Sequence, residues 1–151
     1  MDLSKLKWLK NVKHKKPDKV WAYNEPKEMP VSEAKIFRLH WRSKSQKANA
    51  QKPLKGDLIA LVQLARVTHV VELLDDVVYE NLLDDVVYEN VEKEWSIFRV
   101  VKAVWMPPKG FDWNNLRHQR EIFGVEHLPP NGRVHKVPTN GMLDLGKIWE
   151  G

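Results

Sequence analysis

Apolar and polar positions alternate with the two-residue period of a strand along IFRLHW, residues 36–41. Phe37, Leu39 and Trp41 fall on one face, Arg38 and His40 on the other. Residues 58–74 are β-rich but too long for a typical single strand, which predicts two strands with a break near Ala65 and Arg66, the second pairing with the first. Residues 96–105 carry β-branched and aromatic side chains at nearly every position and predict a further strand, ended by Pro107 and Pro108. Leu3, Leu6, Leu9 and Val12 recur at the spacing of a short basic helix. Residues 42–55 are polar and basic and predict a loop or a short exposed helix, closed by a turn at Gly56 and Asp57. Asp112 can cap a helix over 113–123 that Gly124 ends, with Leu116 and Phe123 inward and Arg117 and Arg120 nearer solvent. Beyond the turn at 129–132, short pieces at 133–137 and 143–149 predict one more strand and a terminal segment.

The pattern is interrupted by an identical tandem repeat, LLDDVVYEN, at residues 73–81 and 82–90. Nine residues rotate an ideal helix by about 900°, leaving the second copy half a turn from the first. Nine is also odd, so a strand continued through both copies would reverse its faces. One copy must therefore leave the regular packing. The alternative is one helix through both copies, since Leu74, Val78, Leu82 and Val86 recur every fourth residue.

The repeat changes how the charge reads. The 151-residue chain has 25 Lys and Arg against 20 Asp and Glu, a formal net charge of +5. Six of those acids lie in the repeat, so the other 133 residues carry 25 bases against 14 acids, or +11. That favours a polyanionic partner. The length and 42% hydrophobic content suit one ordinary domain, with residues 1–34 as a basic extension or its first elements and 35–151 as the domain, duplication included. Absence of cysteine excludes disulfides, thiolate metal sites and cysteine nucleophiles. No apolar run approaches the roughly 20 residues needed to span a bilayer, and no secretory leader is evident, so a cytoplasmic protein without a membrane partner is expected.

The segment PLKGDLIALVQLARVTHVVEL, residues 53–73, resembles the central part of PUA-like domains, particularly the EVE and ASCH branches. In those domains a Gly-Asp turn feeds a strand of a compact pseudo-barrel, and residues 95–105 would be a later barrel strand. The resemblance implies an α+β fold, a mixed β pseudo-barrel with a few short flanking helices, that binds RNA or a modified base in a side pocket. Gly56 and Asp57 are the matching positions, and the residues themselves read as a structural turn.

Seven tryptophans supply aromatic faces that can stack on bases. Cations interleave with them around Arg38, His40, Trp41 and Arg42, and again around Trp113, Arg117 and Arg120. Guanidinium both grips phosphate bidentately and stacks on bases, so these seven residues form the expected nucleic-acid contact set. The expected partner is RNA or modified DNA, bound by a monomer or weak dimer, with no cofactor, metal or catalytic residue assigned. Two other readings stay open. A small hydrolase of the ASCH kind, ribonuclease or amidohydrolase, would use His118 and Glu121 as acid and base. A protein-interaction module would instead gather exposed tryptophans into an apolar patch.

Overall fold

The computed structural model describes residues 5–12, 36–42, 44–80, 96–105, 116–128 and 132–138. Among the described residues, seven strands form one mixed sheet: β1 (Leu6–Asn11), β2 (Ile36–Trp41), β3 (Leu58–Gln63), β4 (Arg66–Leu73), β5 (Tyr79–Glu80), β6 (Ile97–Trp105) and β7 (Val134–Lys136). The order across the sheet is β2-β6-β4-β3-β1-β7, with β5 continuing alongside β6. Among the described strands, only β1 and β3 pair in parallel. Two short helices among the described residues accompany the sheet, α1 (Lys47–Ala50), preceded by a 3-10 turn at Lys44–Gln46, and α2 (Gln119–Phe123). No helix among the described residues is long and apolar enough to cross a membrane.

The sheet curls into a half-barrel, so its two faces bury separate cores. The inner core runs from Leu39 and Trp41 of β2, through Ile97, Val101, Val71, Leu73, Ile59 and Leu61, to Val134 of β7. The outer core joins Leu6, Leu9, Ala60, Val62, Val67 and Val70 to Ile122 and Phe123 of α2. Strand alternation assigns each residue to its face.

Asn49 of α1 holds the curl together. Its Oδ1 accepts from Trp41 Nε1 at 2.9 Å and from the Val134 N–H at 2.8 Å. Its Nδ2 donates to the Val134 carbonyl at 3.2 Å. One amide thus acts as a strand residue would towards β7 while tying down the indole of β2, at opposite ends of the strand order.

The N-terminal segment is a strand, not the helix its spacing predicts. A register shift between Leu6 and Trp8 places Leu6 opposite Leu58 and Leu9 opposite Ala60, so both leucines reach the outer core. A bulge at Lys7 therefore converts a strand's two-residue period into a three-residue step that mimics a helix. Helix α2 also starts later than expected, at Gln119. Residues 116–118 are drawn to the β3–β4 hairpin instead: the Val67 N–H donates to the Arg117 carbonyl and the Gln119 N–H to the Ala65 carbonyl. His118 then caps α2, its Nδ1 accepting from the Arg120 N–H at 3.0 Å, and Gly124 ends it with φ 69°. Leu116 and Phe123 are buried and Arg120 is exposed.

The break near Ala65 is a two-residue hairpin turn in which Leu64 and Ala65 both have positive φ, 49° and 65°. Such turns ordinarily take Asn-Gly, because Gly lacks the Cβ that clashes in that backbone and Asn offsets the clash with local hydrogen bonds. Within the first repeat copy, residues 73–80 contain β5 and no helix; the second copy lies outside the described residues. So do residues 143–149 and the prolines at 107 and 108.

Candidate nucleic-acid interface

Antiparallel pairing of β2 and β5 on either side of β6 sets His40, Phe98 and Tyr79 in one row across three strands. The row lies on the face opposite Leu39, Trp41 and the inner core. Tyr79 stacks on Phe98 with ring centroids 5.1 Å apart and planes 10° apart, and the His40 ring sits 5.7 Å from Phe98 on the other side. The Arg38 guanidinium lies 4.8 Å from the Phe98 ring centroid, and Arg38 is exposed. Arg42, also exposed, follows at the end of β2. A cation and a partly exposed phenol thus flank one aromatic ring.

The other predicted residues of this segment have different environments. Trp41 is fully buried in the inner core, with its indole N–H on Asn49 and the Lys10 ammonium 4.7 Å over its ring. No face of it is open to a base. His40 is buried, and burial, reinforced by the charges of Lys10 and Arg38, lowers its pKa to about 3. It is a neutral ring near pH 7, not a phosphate-binding cation. Consecutive strand residues point to opposite faces, so the run His40-Trp41-Arg42 does not make the mixed surface that its sequence suggests.

Arg117 and Arg120 belong to a second place. They flank the β3–β4 hairpin, where Arg66 bridges to His118, so Arg66 joins them as a third arginine there. Arg38 is level with Val100, which accepts from the Leu74 N–H, whereas Arg117 is level with Val67. The separation along β4 is therefore seven residues, about 20 Å. The four arginines do not converge on one phosphate. Trp113 lies outside the described residues.

The acid–base pair of the hydrolase reading is committed elsewhere. His118 Nδ1 caps α2, and Glu121 faces Arg117 across 3.8 Å. Among the described residues, no group of three or more His, Asp or Glu side chains could hold a metal ion.

The remaining buried polar groups build the scaffold. Gly56 turns with φ 86°, and the Asp57 carboxylate accepts from the Leu54 N–H at 2.9 Å and from Trp8 Nε1 at 3.1 Å, with Lys7 3.5 Å away. Arg99 donates to the carbonyls of Ala50, Pro53 and Asp75 at 2.7–2.8 Å, drawing the basic loop and the first repeat copy onto β6. Lys10 is wholly buried, its Nζ 2.6 Å from the Gly132 carbonyl, and desolvation lowers its pKa to about 7. His69, also buried, is driven down to about 3 by the same cause. The sequence carries no local signal for Phe98, Tyr79 and Arg66, because strand register alone brings them beside the predicted arginines. Compared with known proteins, the chain matches no family model, no curated protein and no solved structure.

Proposed function

We propose that the chain is a nucleic-acid-binding module of PUA-like architecture whose contact surface is the β2–β6–β5 face. The observation that carries this reading is the Arg38–Phe98–Tyr79 group, a guanidinium and a phenol against one ring on a strand surface. Phe98 itself is buried, so the aromatic face on offer is the partly exposed Tyr79 ring, on which a stacked base contributes about 1–3 kcal/mol with any sequence tolerated. Arg42 extends the cationic edge towards a backbone phosphate, and the +11 balance outside the repeat supplies long-range attraction. The PUA-like part of the proposal is supported by the Gly56–Asp57 turn that feeds β3 and by the curled mixed sheet. RNA or a modified base is the ligand that architecture would take.

Titration of fluorescent RNA and DNA oligomers, plain and base-modified, at about 50 and about 200 mM salt tests the proposal. Binding should weaken with salt. Arg38→Ala with Arg42→Ala should lower the salt slope by about 0.7 for each lost single-strand phosphate contact. Tyr79→Ala should weaken binding by roughly 5- to 150-fold with the slope unchanged. Failure of every oligomer to bind at the lower salt would sink the reading.

A further inference from the structure

The first copy of the nine-residue repeat sits in a socket whose walls lie outside the repeat. The Leu73 N–H donates to the Asp57 carbonyl at 3.1 Å, and the Leu73 carbonyl accepts from the Gly56 N–H at 2.9 Å. The Leu74 N–H donates to the Val100 carbonyl, and Arg99 donates to the Asp75 carbonyl. The Asp76 carboxylate accepts from the Lys55 N–H at 2.6 Å, and Val78 packs against the inner core. Internally, the Asp75 carboxylate accepts from the Val77 N–H and the Tyr79 hydroxyl, which sets the ring against Phe98. Every residue that the repeat contributes here recurs nine positions later, from Leu82 to Asn90.

We propose that residues 82–90 compete with residues 73–81 for this one socket, so that the chain interconverts between two folded forms differing in which copy is docked. Because the copies present the same atoms to the same walls, the contact energies of the two forms cancel. The connections decide the balance. With the first copy docked, one connection, residues 81–96, returns to β6; with the second docked, residues 73–81 loop out after Glu72 and residues 90–96 return. Closing one connection of about 16 residues rather than two of about 9 and about 7 favours the first form by about tenfold. A minor form of that population is within reach of a ligand or a substitution that prefers it. In the minor form Tyr88 replaces Tyr79 on Phe98, whether or not that face binds nucleic acid.

Deleting either copy yields the same polypeptide, and that single-copy chain should fold. In it, Val78→Asp with Tyr79→Ala, which breaks docking, should lower the folding constant by about a hundredfold. In the full chain the same two substitutions should cost only about tenfold, because the second copy takes the socket. Adding Val87→Asp and Tyr88→Ala should restore the full loss. Fluorine NMR of the 3-fluorotyrosine-labelled full chain supplies the structural readout: breaking the first copy should move the Tyr88 resonance to the position that Tyr79 occupies in the parent. The proposal is overturned if the single-copy chain fails to fold, if the first-copy substitutions cost as much in the full chain as in the single-copy chain, or if the Tyr88 resonance stays where it was.

Discussion

Lys10 offers a direct measure of what the inner core tolerates. It faces inward from β1, beside Leu61 in the register, and burial lowers its pKa from 10.5 to about 7. The folded pKa lies below the unfolded one, so between pH 7 and 10.5 the unfolded chain binds more protons and stability rises with pH. This contribution is fully present above pH 10.5 and is lost as pH falls through 7. At about 1.36 kcal/mol per pKa unit, the penalty at pH 7 is about 4 kcal/mol and at pH 9 about 2 kcal/mol. Raising the pH from 7 to 9 should therefore stabilise the parent by about 2 kcal/mol in urea denaturation. Lys10→Met removes that slope. It also removes the hydrogen bond to the Gly132 carbonyl and the cation over Trp41, losses of about 1–3 and about 1–2 kcal/mol. Net stability at pH 7 should accordingly change little, while the pH dependence flattens. If the variant keeps the parent's slope between pH 7 and 9, Lys10 is not the group that titrates and the desolvation argument is wrong.

Two further outcomes follow from the backbone and the seam. Leu64→Asn with Ala65→Gly relieves two positive-φ residues and should stabilise the protein by about 1–2 kcal/mol, read as a higher Tm; an unchanged or lower Tm would refute the strain at that turn. Asn49→Ala removes three hydrogen bonds between α1, Trp41 and Val134 and should cost about 2–3 kcal/mol. Amide exchange at Val134 should accelerate more than at Leu61 in the middle of the sheet; equal protection would show that the seam is held by something else.

The local patterns in the chain determined most of the strands. Residues 36–41, 58–73 and 97–105 pair as alternation and β-propensity require, since each strand must turn one or both faces to a core. At Gly56 and Asp57 the positive φ and the carboxylate that accepts from the Leu54 N–H are local properties of the chain. The N-terminal segment has no such local determinant, because the Lys7 bulge that gives Leu6 and Leu9 a helical spacing exists only when β3 lies alongside. Helix α2 begins late for the same kind of reason, its preceding residues being captured by the hairpin.

The candidate interface divides along the same line. That arginines and aromatics are abundant is a property of composition, but which of them meet depends on register. Trp41 is adjacent in sequence to His40 and Arg42 yet belongs to the core, whereas Phe98 and Tyr79, distant from Arg38 in the chain, share its face. Sequence alone also established the repeat and its acidic charge. Only the tertiary structure showed that its first copy fills a socket built by Lys55, Gly56, Asp57 and β6, because pairing between distant segments carries no local signature.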